Sequence, residues 1–111
     1  MSTPNDTISL SDAISWTTKW RTQNPNAVKA FLIPTDDLTG VLAENPDAVR
    51  AYLAIDDSGT EKLVIVGTTH QIDGTYKDNL PDPKGGDNGF YIFDFTSPCP
   101  TDCDPNSLLN S

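Results

Sequence analysis

The sequence predicts a two-layer α+β fold, in which two helices pack on a mostly antiparallel four-stranded sheet in the order α-β-α-β-β-β. Three observations carry this prediction: an amphipathic stretch over 10–23, the β-branched run "LVIVGTT", and the alternating aromatic segment "FYIFDFT". Proline and glycine lie mostly between the patterned segments. The pattern divides the chain into a flexible N-terminus (1–7), a single α+β domain (8–97) and a C-terminal tail rich in Pro, Asp and Cys (98–111).

The first helix is expected over 10–23. Ser9 and Asp12 have the spacing of a capping box, with Asp in place of the usual Glu, and an Asn-Pro pair ends the apolar periodicity. Trp16 and Trp20 lie one helical turn apart, so they serve either as core residues against the sheet or as a binding platform. Core packing is the commoner use, and it predicts a strong loss of stability when either is truncated.

An internal echo follows the first helix. The segment "NPNAVKAFLIPTD" at 24–36 matches "NPDAVRAYLAIDD" at 45–57 with a constant offset of 21 residues. The match fits a duplication and also fits chance convergence on common strand residues, and both explanations stay open. Each copy puts a basic residue and an aromatic residue on the same face of a predicted strand. The surface predicted for protein contact therefore consists of Lys29, Phe31, Arg50 and Tyr52.

The remaining elements follow from local patterns. A short second helix is expected over 36–44, weakened by Gly40. The segments 48–56 and 62–69 predict an antiparallel hairpin joined by "DDSGTEK". Residues 70–89 are rich in Gly, Pro, Asp and Asn and predict a long loop, the most mobile internal segment of the chain. The "FYIFDFT" segment then supplies the last strand.

Charge restricts the classes of partner. The formal net charge of −9 repels phosphate backbones and anionic lipid, which argues against nucleic-acid and membrane partners. The acidity favours a basic protein partner or divalent cations, although it also serves solubility alone. The N-terminus lacks the pattern of a signal peptide, and no apolar run approaches the roughly 20 residues of a membrane helix. We therefore expect a cytoplasmic protein with reduced thiols.

The two cysteines, in "PCPTDCDPN", allow several interpretations. A zinc site needs four ligands, which Cys99, Cys103, His70 and a carboxylate of Asp102 or Asp104 could supply, or two cysteine pairs across a homodimer. The other interpretations are a disulfide, a redox pair and two free thiols. Acidic neighbours disfavour the thiolate, and the tail offers little apolar area. We expect both thiols to be reduced and dispensable for folding.

Two segments, "AVRAYLAID" and "IFDFTSPCPTDCD", resemble those of small bacterial proteins of unknown function, and the resemblance spans residues 8–106. It implies a bacterial origin and a cysteine tail that belongs to the domain. It implies no activity.

No convergent catalytic set stands out in the sequence, because its single histidine, His70, has no obvious nucleophile partner. The sequence therefore predicts a small, acidic, non-enzymatic protein-binding module without a cofactor, an adaptor or an inhibitor of a basic protein. The alternative is a metal- or redox-responsive protein that uses Cys99 and Cys103, with zinc as the metal. A homodimer is compatible with either prediction.

Overall fold

The structure, a computed structural model, describes residues 6–110; residues 1–5 of the predicted flexible N-terminus lie outside this range. It confirms an α+β fold with two helices and antiparallel sheets. In chain order the elements are α1 (Leu10–Gln23), β1 (Ala30–Leu32), α2 (Thr35–Leu42), β2 (Ala48–Ile55), β3 (Glu61–His70), β4 (Tyr76–Asp78), β5 (Ser97–Cys99) and a C-terminal 3₁₀ turn (Leu108–Asn110).

The strands form two sheets, whereas the sequence predicts a single four-stranded sheet. One sheet has the order β2-β3-β4 and the other pairs β1 with β5, and both are antiparallel. Ala51 lies opposite Ile65 in the larger sheet, and Phe31 lies opposite Pro98 in the smaller one. The two copies of the internal echo consequently lie in different sheets.

The core centres on β3. The four residues 65–68 in its middle are all buried, and α2 packs on this strand with Val41 fully buried. This burial explains the continuous β-branched run, because a strand that is covered on both faces needs no alternation of polar residues.

The segment predicted as the last strand forms a single bridge instead of a ladder. Phe93 and Ile65 exchange both backbone hydrogen bonds, at 2.8 and 3.0 Å. The end of β3 from Thr68 to His70 is already paired with β4, a strand inside the predicted loop 70–89. The rest of this edge, toward Glu61, meets the aromatic segment at this bridge and at the hydroxyl of Thr96, which bonds the backbone of Leu63.

The prediction that both tryptophans pack in the core is wrong. Trp16 and Trp20 are 55% and 47% exposed. Helix α2 covers β3, whereas the main contact of α1 is with the C-terminal 3₁₀ turn. The apolar stripe of α1 is thus left beside β1 instead of being buried on the larger sheet.

Candidate protein-binding site

A concave groove of about 650 Å³ lies between α1, β1 and β2. Its lining includes Trp16 and Trp20 from α1, Phe31 from β1 and Leu53 from β2. The two indoles share one wall because residues four apart lie on the same face of a helix. We call this concavity the aromatic groove.

The side chains of the aromatic groove are accessible. Besides the two tryptophans, Leu53 is 81% exposed. The indole N–H of Trp20 donates to the carbonyl oxygen of Val28 at 3.0 Å, so the polar atom of this ring is satisfied within the chain. The ring is thereby oriented while much of its apolar surface stays free. Oriented aromatic side chains of this kind supply much of the affinity at protein interfaces.

The groove lies in the least acidic part of the chain. Residues 13–35 contain three of the seven basic residues and none of the 16 acidic ones. Two of these cations, Arg21 and Lys29, line the groove. Arg21 donates to the carbonyl of Leu109, whereas the Lys29 ammonium has no hydrogen bond or ion pair to any residue in 6–110. A local positive charge therefore borders an apolar surface in an otherwise acidic protein.

The structure divides the four residues predicted for protein contact into two pairs. Lys29 and Phe31 belong to the aromatic groove. Arg50 and Tyr52 instead converge on Asp78 of β4: the guanidinium lies 2.5 Å from one carboxylate oxygen, and the tyrosine hydroxyl donates to the other.

The Asp78 cluster is held by mutual electrostatics. The hydrogen bond from Tyr52 and then the Arg50 guanidinium lower the pKa of Asp78. The same hydrogen bond to Asp78 raises the pKa of Tyr52. Arg50 also donates to the carbonyl of Tyr76 at 3.0 Å. These contacts tie β2 to β4 across β3 within the larger sheet.

The cysteine tail lies next to the aromatic groove. Cys99 and Cys103 form a disulfide, in contrast to the reduced pair expected from the sequence. Cys99 is buried in β5, and its carbonyl accepts a hydrogen bond from the N–H of Lys29 at 2.7 Å. A smaller hollow of about 240 Å³ is lined by Lys29, Phe31 and both cysteines. The tail is integrated in the fold because β5 pairs with β1.

The predicted metal ligands are brought together only in part. The disulfide joins Cys99 to Cys103, and a disulfide sulfur lacks the thiolate charge that zinc requires. His70 stands at the end of β3 with its ring tilted against Tyr76, centroid to centroid 4.8 Å. Among the side chains of residues 6–110, no group of three or more His, Cys, Asp or Glu is arranged to hold a metal ion.

Sequence reasoning missed Leu53 and Asp78 and assigned the tryptophans to the core. One signal for the groove is present in the sequence, since the acid-free run 13–35 coincides with nearly all of the lining. The Asp78 cluster has no such signal, because its carboxylate comes from a strand of three residues within a loop-like segment.

Comparisons of the chain with protein-family models, curated proteins and solved structures found no significant match. Within the described part of the chain, none of the helices combines the length and apolar character needed to cross a membrane. The function therefore has to be argued from the site itself.

Proposed function

We propose that the chain is a small non-enzymatic protein-binding module that docks an apolar segment of a partner protein in the aromatic groove. The observation that carries this proposal is the exposure of Trp16 and Trp20 in one concavity with Phe31 and Leu53. Contiguous exposed apolar surface with a charged rim is typical of interaction sites. An adaptor or an inhibitor, acting in the cytoplasm without a cofactor, fits these features.

The charges of this chain favour a partner with two properties. The net charge of −9 attracts a basic protein over long range and disfavours nucleic acid and anionic membranes. At the groove itself, the Lys29 ammonium, which has no partner among residues 6–110, favours a carboxylate next to the apolar anchor of the docked segment. The proposed partner is therefore basic overall and presents an apolar segment that carries an acidic residue.

Tryptophan fluorescence tests the proposal directly, because the two tryptophans of the groove are the only ones in the chain. The probes are short peptides with the same apolar anchors and with glutamate, lysine or neutral flanks. We expect a saturable blue shift of the emission maximum, with the tightest binding for the glutamate-flanked peptide.

A matched pair of variants localises the binding. Leu53→Ala should weaken peptide binding, whereas Ile72→Ala, at an exposed apolar residue outside the groove, should leave it unchanged. Equal affinities of the two variants, or no shift with any peptide, would count against the groove as the binding site.

A second candidate function is redox response, which the position of the disulfide favours. The strand that carries Cys99 is hydrogen-bonded to Lys29, a residue of the groove, so the tail lies next to the groove. Reduction by a dithiol would transfer two electrons and two protons to the disulfide, giving two thiols and oxidising the dithiol. In the cytosol such a bond is typically transient and regulatory. The reduced thiols are also the form that would take up zinc, as two cysteine pairs across a homodimer.

The redox candidate predicts that reductant changes peptide affinity in the wild type and has no effect on Cys103→Ser. Metal analysis of the reduced protein after zinc addition and dialysis tests the zinc alternative. Unchanged affinity on complete reduction, together with no retained zinc, would eliminate both forms of this candidate.

A further inference from the structure

Strand β2 has a partner on one edge only. It pairs with β3 along its eight residues, and within residues 6–110 its other edge pairs with no strand. In an antiparallel ladder, alternate residues turn their N–H and C=O groups away from the existing partner. The free edge of β2 is thus a row of backbone donors and acceptors ready for another strand.

The side chains of β2 are uncovered as well. Six of its eight residues are exposed, and they include residues on both faces of the sheet. Leu53 is 81% and Ile55 72% exposed, whereas the adjacent β3 contains four consecutive buried residues. The sheet therefore ends in an apolar strand that lacks neighbours on its edge and on much of both faces.

This edge lacks the usual protection against pairing. Natural edge strands carry lysine, proline, bulges or inward charges that block addition of another strand. Between residues 48 and 55 there is no proline, lysine or acidic residue, and the single charge, Arg50, is already paired with Asp78. Acidic residues resume immediately outside the strand, at Asp47 and Asp56.

The accessible surface of the whole chain, with its loops and tail, is larger than that of a compact monomer. The accessible area is 8329 Å² for 12.0 kDa, whereas a compact monomer of this mass exposes roughly 6,000 Å². The excess is roughly 2,300 Å². A standard interface needs about 800 Å² from each partner, and obligate dimers use more. The excess is therefore large enough for a stable dimer.

We propose that the chain forms a homodimer in which the β2 strands of two copies pair antiparallel about a two-fold axis. The two three-stranded sheets then join into one continuous sheet, with β2 beside its own copy at the centre. Such an interface is closed, so pairing stops at two copies. The proposed interface shares Leu53 with the aromatic groove, whereas the other seven residues of β2 do not line the groove.

A second copy fits this edge because the strand is complementary to itself. Within residues 48–55 of an antiparallel self-pair, like charges face each other only in the register centred on Arg50. In registers centred from Ala51 to Tyr52, the guanidinium faces an aromatic or apolar residue of the other copy. The acidic residues stay outside the paired segment, where salt screens their repulsion.

Sedimentation equilibrium of the full chain measures the proposed dimer. We expect a mass of about twice 12.0 kDa, and tighter association as salt is raised, because two copies of charge −9 repel each other. Binding of a basic partner has the opposite salt dependence. A monomer at all concentrations and salt levels would overturn the proposal and would leave the groove proposal untouched.

The variant Ala51→Lys introduces a charge in the middle of β2, at an exposed residue that does not line the groove, and it should convert the dimer to a monomer. Ile72→Lys adds the same charge at a fully exposed residue outside β2 and should remain dimeric. A dimer that survives Ala51→Lys, or that dissociates equally in Ile72→Lys, would show that β2 is not the interface.

Amide hydrogen exchange of the wild type gives a readout that needs no variant. Alternate amides of β2 should become protected as the protein concentration rises, while exchange in the 56–60 turn should not change. Exchange of β2 that is independent of concentration in a dimeric sample would place the interface elsewhere and overturn the proposal.

Discussion

The hydroxyl of Thr96 accepts a hydrogen bond from the N–H of Leu63 at 2.8 Å and donates one to the carbonyl of the same residue at 3.0 Å. One side chain thereby occupies both positions that a paired strand would fill. Thr96 is 1% exposed, so water has no access to these groups. The Thr96 hydroxyl therefore satisfies the backbone of β3 at a position where no partner strand pairs with it.

Replacing Thr96 by valine should destabilise the protein, although the two side chains have nearly the same shape. The change leaves the half-buried N–H and C=O of Leu63 without these partners, which costs about 1 kcal/mol. Urea unfolding of Thr96→Val measures the loss, and Thr22→Val, at an exposed position of α1, is the matched control. Equal stabilities of the two variants would contradict the role of the hydroxyl.

Gly40→Ala should also lower stability, against the expectation from helix propensity. In an isolated helix this substitution stabilises by up to about 1 kcal/mol. In this fold, a Cβ at position 40 would lie 2.5 Å from Cε1 of the Phe93 ring. The ring would have to turn away from the helix, since the Phe93 backbone is held by hydrogen bonds with Ile65 in both directions.

A thermal melt of Gly40→Ala beside Gly40→Ala/Phe93→Leu tests this contact. The single variant should melt below the wild type, and the smaller side chain at 93 should make the alanine less harmful than it is in the wild-type background. A higher melting temperature for the single variant would show that propensity outweighs the contact.

The Asp78 cluster should make the stability of the fold depend on pH in the acidic range. The pKa of Asp78 in the folded chain lies below its ordinary value because of the hydrogen bond from Tyr52 and the Arg50 charge. A carboxyl group with a lowered folded pKa stabilises the fold at pH values above its unfolded pKa of about 3.9. This contribution is lost as the pH falls through the folded value.

Asp78→Asn should accordingly be less stable than the wild type at neutral pH and should lose less stability on acidification. Melting temperatures measured from neutral to acidic pH show whether the two curves converge. Asp57→Asn, in the exposed turn between β2 and β3, should run parallel to the wild type. Parallel curves for Asp78→Asn would mean that the cluster contributes nothing to folding.

Truncation of Trp16 should cost far less than truncation of a core residue. Ile65 is 2% exposed, and Ile→Ala changes in cores cost about 2–5 kcal/mol. Trp16→Ala removes a larger side chain that is more than half exposed, and we expect it to cost less than Ile65→Ala. Chemical denaturation of both variants tests the ranking, and a reversed order would place the indole in a packed environment.

Local patterns were sufficient for the elements whose structure depends on near neighbours. The bounds predicted for α1 are the observed ones, because Ser9 caps the helix and Asn24-Pro25 ends it. The β2–β3 hairpin is also predicted within one residue at each end, since one turn joins both strands. The aromatic segment ending near Thr96 alternates as a strand should. It nevertheless pairs with β3 only at the Phe93–Ile65 bridge, because the hydroxyl of Thr96 takes the place of a backbone partner at Leu63.

The candidate site was less predictable because it depends on which helix covers the sheet. The periodicity of α1 shows an apolar stripe, but the stripe does not say whether α1 or α2 packs on β3. The two copies of the echo show the same limit: Phe31 and Tyr52 are equivalent in sequence, yet one lines the groove and the other binds Asp78. Their different neighbours come from remote parts of the chain.

The docking of α1 has a consequence for how the molecule melts. The helix is attached through the Trp20 indole to Val28 and through Arg21 to Leu109, and it shares no extensive packing with β2, β3 or β4. We therefore expect the helix and the larger sheet to unfold as separate cooperative units. Circular dichroism should show part of the helical ellipticity disappearing in a first step on heating, and calorimetry should give a van't Hoff enthalpy that differs from the calorimetric one.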